Sequence, residues 1–191
     1  MIRTVVFALF CAGVFVSCST EDKGSKERAK SNAEQKVILV AHIDSLETVM
    51  EEKNLLPGDM IMGELLKDYL EFTAKYPGDQ EMTPEYLYKA AAISRAVNLP
   101  VKAIKLYDQV LTKYPNWKKA PEVAFLQAFT YDEDLNEPEL AKECYEKVVE
   151  KFPGDLWAVQ AEQRLESIGM SDEELLDFLK QKQVEAAAAQ E

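Results

Sequence analysis

The sequence predicts an all-α fold, a row of stacked helical hairpins, on three observations. A short signature returns at one interval: Lys75-Tyr76-Pro77, Lys113-Tyr114-Pro115 and Lys151-Phe152-Pro153 place their prolines 38 residues apart. An aromatic residue, Tyr69, Tyr107 or Tyr145, stands eight residues before each proline, and Leu65, Ala103 or Ala141 stands four before that. Apolar residues recur between these landmarks at helical spacing. A period in this range marks supersecondary units that stack side by side, each covering the apolar flank of its neighbour. Such arrays offer extended surfaces for binding.

The elements follow in chain order. Met1-Ile2-Arg3 is a short positive start, Thr4 to Val16 an uncharged apolar run, and Ser17 a small residue before Cys18. This is the layout of a secretory signal over residues 1–17. The run is too short to cross a bilayer as a permanent helix, which takes about 20 residues. Residues 18–33 mix both signs of charge without apolar periodicity. They read as a flexible tether, spanning roughly 20 Å on average. Residues 34–59 read as a helix, the first element of a helical array over 34–181.

The second helix of each hairpin carries the clearest pattern. Ala141, Cys144, Tyr145, Val148, Val149 and Phe152 fall at i, i+3, i+4, i+7, i+8 and i+11, the stripe of a core-facing helix. Ala103, Leu106, Tyr107, Val110, Leu111 and Tyr114 repeat it, and Leu65, Tyr69, Phe72, Thr73 and Tyr76 repeat it with Asp68 as a break. Each such helix ends where the chain meets its proline, which disfavours helical geometry in the preceding residue. The first helices start at Thr83-Pro84-Glu85 and at Pro121-Glu122, an N-cap or proline followed by an acid. Asn98-Leu99-Pro100 and Asn136-Glu137-Pro138 mark the tight turns between the two helices of a pair. Another first-type helix is expected over about Leu156 to Ile168, closed by Gly169. Ser171 to Glu174 forms a capping box that starts a last amphipathic helix with Leu175, Leu176, Phe178 and Leu179, a terminal cap for the array. Residues 182–191 have helix propensity without a packing face and read as a frayed tail.

Composition narrows function. At 191 residues the chain holds one compact array, with 47% hydrophobic and 29% charged residues, enough for a real core. A net charge of −12 argues against nucleic acid and against electrostatic docking on an anionic membrane, and it is compatible with a basic partner. His42 is the single histidine, so a zinc site lacks ligands at suitable spacing, and no phosphate loop or nucleophile elbow occurs. No cofactor or catalytic residue is expected. The run Asp132-Glu133-Asp134 is the strongest local charge feature and reads as a solvated helix end or a contact for a basic partner. Cys144 lies in a core stripe and reads as an inert thiol.

Two resemblances add to this reading. The segment Phe15-Val16-Ser17-Cys18 resembles the lipobox of a bacterial lipoprotein, with Phe where Leu is usual. The resemblance implies that Cys18 becomes the first mature residue and carries a diacylglyceryl thioether and an amide-linked acyl chain, several chains that together anchor permanently. The Ala/Leu–aromatic–Pro pattern of the second helices resembles the tetratricopeptide repeat. The first helices match less well, with Leu87, Ala90 and Ala91 near the large-then-small positions and Phe129 at a place that is usually small. The 38-residue unit, longer than the common repeat, is similar to tetratricopeptide lipoproteins of the bacterial envelope. These include the outer-membrane assembly lipoprotein, the Tol-Pal coordinator and the short lipoproteins of Bacteroidetes-type bacteria.

The resemblance implies a right-handed superhelical array of about three hairpins, ending near Pro77, Pro115 and Pro153, with capping helices at both ends. It implies a lipid-anchored scaffold of the cell envelope, at the outer membrane and facing the periplasm, that binds a protein or peptide. The alternatives are an accessory enzyme, a peptidoglycan- or sugar-binding subunit, or a permanent structural subunit of an outer-membrane machine. In this family the first helices line the concave face, so the resemblance places Tyr88, Ala92 and Arg95, then Leu126, Thr130 and Glu133, at the partner's groove.

Overall fold

The computed structural model describes residues 21–53 and 58–188. The expected signal segment 1–17 and Cys18 lie outside them. Every regular element among the described residues is helical: α1 Glu21–Lys53, α2 Met60–Lys75, α3 Met82–Ala96, α4 Pro100–Lys113, α5 Ala120–Phe129, a π-helical segment Thr130–Asp134, α6 Pro138–Lys151, α7 Leu156–Leu165 and α8 Asp172–Ala188. None of them is long and apolar enough to cross a membrane. The expected all-α array is therefore present.

The chain divides into two compact units, Met1–Ile38 and Leu39–Glu191. In the first, residues 21–38 belong to α1, so the tether expected over 18–33 is helical from Glu21 onward. Glu, Lys, Arg and Ala dominate that stretch, and all are good helix formers. Lack of an apolar stripe therefore removes a packing face without removing the helix, and Val37 and Ile38 stand exposed.

In the second unit, helices pack in order of sequence, α2 on α3, α3 on α4, α4 on α5, α5 on α6 and α6 on α7. Residues 39–53 of α1 join the same core: Ile43 is fully buried, and Leu39, Leu46 and Met50 pack beside it. The three repeated tyrosines are the largest fully buried side chains. Tyr69 stacks on Tyr86 of α3 at 5.1 Å between ring centroids, and Tyr145 lies 5.5 Å from Phe125 of α5. These two rings each fill the gap between their own helix and a first helix beside it, and Tyr107 is buried in the same core as Tyr69. Asp68, the break in the first stripe, is buried and accepts a 2.7 Å hydrogen bond from Nδ1 of His42. The lone histidine thus satisfies a carboxylate that burial would otherwise leave unpaired.

The chain leaves each second helix the same way. Tyr76, Tyr114 and Phe152, each before its proline, adopt φ/ψ of −124/51°, −130/51° and −127/51°. The turn that follows is closed each time by one bond: the N–H of Asp79, Trp117 and Asp155 donates to the carbonyl of Tyr76, Tyr114 and Phe152. Asp79 then accepts from the N–H of Glu81 and Met82, so α3 starts before the Thr83 that the sequence suggested as its cap. Thr83 is buried and donates to the Tyr76 carbonyl at 2.7 Å. Between the helices of a pair, Asn98 and Asn136 take φ of 60° and 54°. This left-handed turn is one that Asn tolerates better than other non-glycine residues.

At the far end the structure departs from expectation. The capping box forms, with the Ser171 N–H donating to Glu174 Oε2 at 2.8 Å. Helix α8 nevertheless leaves Leu176 and Leu179 exposed, and Leu156 and Val159 of α7 are exposed as well. The apolar surface of α8 therefore does not shield α7 as a terminal cap would. Helix α7 ends at Leu165, and Gly169 at φ 76° turns the chain toward α8. Helix α8 runs on to Ala188, through most of the stretch read as a tail, because its alanines favour helix without needing a packing face.

Candidate partner-binding face

The first helices of successive pairs, residues 39–53 of α1, then α3, α5 and α7, are tied to one another by polar side chains. Lys89 of α3 reaches Glu47 of α1, with Nζ 2.9 Å from both carboxylate oxygens. Lys119, just before α5, reaches Glu85 of α3 at 3.0 Å, and Tyr88 donates to Glu122 of α5 at 2.6 Å. Arg95 of α3 pairs with Asp134, and Arg164 of α7 pairs with Glu133 at 2.7 Å and approaches Asp132 at 3.7 Å. The Phe129 ring lies beneath both arginines, 5.0 Å from the guanidinium carbon of Arg95 and 4.9 Å from that of Arg164. Cation–π contacts of this kind add to the ion pairs and hold the guanidinium planes in place.

The π-helical segment makes this possible. Pro84 and Pro121 open the two first helices 37 residues apart, whereas Asn98 and Asn136 close them 38 apart. The loop before α5 is one residue shorter and the helical run one residue longer. The extra residue widens the helix at Thr130–Asp134, where the Leu135 N–H donates five residues back to the Thr130 carbonyl. Segments of this type arise from such single insertions, and they re-aim the side chains beyond them.

That insertion also corrects the expected groove residues. Adding 38 to Tyr88 and Ala92 gives Leu126 and Thr130, but over α5 the true offset is 37, which gives Phe125 and Phe129. Ala128, fully buried like Ala91, holds the small position assigned to Phe129, and Phe129 itself faces the arginines. Thr130 is fully buried and donates to the Leu126 carbonyl at 2.7 Å, so it presents nothing to a partner. Leu126 is half-buried against the core. Glu133 reaches the face and is held by Arg164. Tyr88 and Arg95 lie on the face, both engaged internally, and Ala92 is exposed between them. Trp117 and Lys119 were missed because they sit in the loop, outside any helical stripe. Lys119 lies 4.9 Å from the Tyr88 ring and 5.6 Å from the Trp117 ring.

Ionisation follows from this packing. Burial first, then the bond to Glu122, raises the Tyr88 phenol well above its ordinary value, and burial with Glu47 does the same for Tyr69. The bond to Asp134 holds Arg95 still more firmly protonated. Burial, reinforced by neighbouring Glu133, raises the Asp132 carboxyl.

Two adjoining hollows open on the face. One, of about 260 Å³, is bordered by Asp44, Glu81, Tyr86 and Trp117; the other, of about 180 Å³, by Met50, Glu51, Ala92 and Ile93. The Glu47–Lys89 pair borders both. A separate groove between α4 and α6, about 520 Å³, is bordered by the half-buried Cys144, whose thiol pKa burial raises away from the reactive thiolate. No group of His, Cys, Asp or Glu side chains among the described residues is arranged to hold a metal ion.

No curated protein matches the chain. A family match does exist within it. Residues 122–155, which are α5 from its third residue, the π-helical segment, α6 and the loop to Asp155, match the family model of the tetratricopeptide repeat.

Proposed function

We propose that this protein is a lipid-anchored scaffold of the bacterial cell envelope that binds a protein or peptide through the face of its first helices. The observation that carries the reading is that face itself. Four successive first helices are fixed to one another by ion pairs, so a partner meets a preorganised surface with two hollows already open. Preorganisation lowers the ordering cost of binding. The match to a tetratricopeptide repeat supports the same class of function. Anchoring rests on sequence: an apolar run, a small residue and Cys18, followed by a charged stretch. With Cys18 acylated, the array is held at the outer membrane and faces the periplasm.

Photo-cross-linking in intact native cells tests the proposal. A cross-linking residue is placed at Glu51 or Ala92 on the face, and at Lys105 or Thr112 on α4 as controls. One discrete adduct, formed only from the face positions and only in the membrane fraction, is the expected result. Adducts of equal strength from all four positions, or none, overturn it.

A further inference from the structure

We propose that the first-helix face takes a basic segment of its partner, a Lys or Arg entering the larger charged hollow and an apolar side chain the smaller one. The proposal rests on the scaffold reading and names the partner's chemistry. Most of the cations on the face are already paired. Lys89, Lys119, Arg95 and Arg164 each hold an acidic partner from a neighbouring first helix or its flanking residues. The acidic run 132–134, the strongest charge feature in the sequence, is consumed by the two arginines and offers little to a ligand.

What remains is an excess of carboxylate over the Lys118 ammonium. Among the described residues, Asp44, Glu51 and Glu81 take no side-chain hydrogen bond or ion pair. Four carboxylates, Asp44, Glu47, Glu81 and Glu85, border the first hollow against two ammonium groups, Lys89 and Lys118. Its rings are Tyr86 and Trp117. A long cationic side chain satisfies both features, because its stem lies on the aromatic surface and its head reaches the unpaired acids. An acidic segment is repelled there, and a wholly apolar one desolvates Asp44 and Glu81 without giving them a partner. The adjoining hollow is different in kind: Met50, Ala92 and Ile93 border it, and it suits an apolar side chain close to the cation in the partner's sequence. Surplus negative potential over the face also steers a basic segment toward it, an effect that salt weakens.

The test uses the array with Cys18→Ser and a display library of short random peptides. Selected peptides are synthesised and titrated by fluorescence polarisation at low and high salt. Peptides enriched in Lys or Arg beside an apolar residue are expected. Asp44→Lys and Glu81→Lys should each weaken their binding by about tenfold or more, while Glu139→Lys on α6 leaves it unchanged. Circular dichroism confirms that each variant is folded. Selected peptides that lack basic residues, yet are blocked by Ala92→Trp, overturn the basic-segment proposal and leave the scaffold reading standing. Failure to select any peptide, or binding indifferent to all three face variants, overturns both.

Discussion

Arg95 and Asp134 lie 39 residues apart in sequence and are joined by two bonds, Nε and Nη2 of the guanidinium reaching the two carboxylate oxygens. The pairing depends on the inserted residue that opens the helix at Thr130–Asp134 and carries Asp134 back toward α3. Both side chains are mostly but not fully shielded, 21% and 29% exposed, so the pair is worth more than a surface contact and less than a buried one. A double-mutant cycle of Arg95→Ala and Asp134→Ala, followed by urea unfolding, should give a coupling of about 1 kcal/mol. The coupling should shrink as salt rises. Strict additivity of the two substitutions would show that the bonds hold nothing together.

The turns within the hairpins make a second test. Asn98 sits at φ 60°, a conformation that costs most Cβ-bearing residues about 1–2 kcal/mol, Asn less and glycine nothing. Asn98→Gly should leave the melting temperature within a degree or two, about the effect of a few tenths of a kcal/mol. Asn98→Val should destabilise by about 1–2 kcal/mol, since a β-branched side chain tolerates this region least. Equal cost for both would mean that the turn relaxes into another geometry.

These two sites show what could be read in advance. The 38-residue spacing of the prolines and of Asn98 and Asn136 identified the hairpins, because Pro and left-handed Asn act through local backbone sterics that neighbours do not override. Registering side chains on the first helices failed by one residue. A loop one residue shorter and a helix one residue longer cancel in the overall period, so the insertion at Thr130–Asp134 leaves the signature interval untouched. One residue is a 100° rotation of a helix, enough to exchange buried Thr130 for half-buried Phe129. The signal was present in the Pro84–Pro121 spacing of 37. The matching Pro-Gly-Asp turns at 77–79 and 153–155 were equally legible, and they show Asp79 as the start of α3. The internal pairing of the 132–134 acids was not, because its partners come from helices distant in sequence.

Membrane attachment gives a third prediction. If Cys18 carries the acyl chains, Cys18→Ser should move the protein from the membrane fraction to the soluble fraction with its helical circular dichroism intact. Each buried methylene adds about 0.8 kcal/mol, so loss of the acyl chains removes far more binding energy than the tether supplies. Retention of the variant in carbonate-washed membranes would place the anchor elsewhere.

The repeated tyrosines predict how the array fails in alkali. Burial pushes the phenols of Tyr86 and Tyr107 up to about 12, against 10.0 for a free phenol, and those of Tyr69, Tyr88 and Tyr145 are also raised. The unfolded chain releases these protons near pH 10, while the folded chain still holds them. By linkage their contribution to stability is complete below pH 10 and is lost as pH climbs toward 12 and beyond, each such group steepening the fall by up to about 1.4 kcal/mol per pH unit. Melting temperature should therefore stay level from neutrality to about pH 10 and then drop sharply, with phenolate absorbance rising at the same pH as unfolding. Tyr107→Phe removes one of these protons and should make the drop shallower. Tyr107→Ala instead opens a cavity in the core, and it should destabilise at every pH by about 3–5 kcal/mol. A flat profile through pH 12, or a cost below about 1 kcal/mol for Tyr107→Ala, would mean that the ring is not packed between α4 and its neighbours.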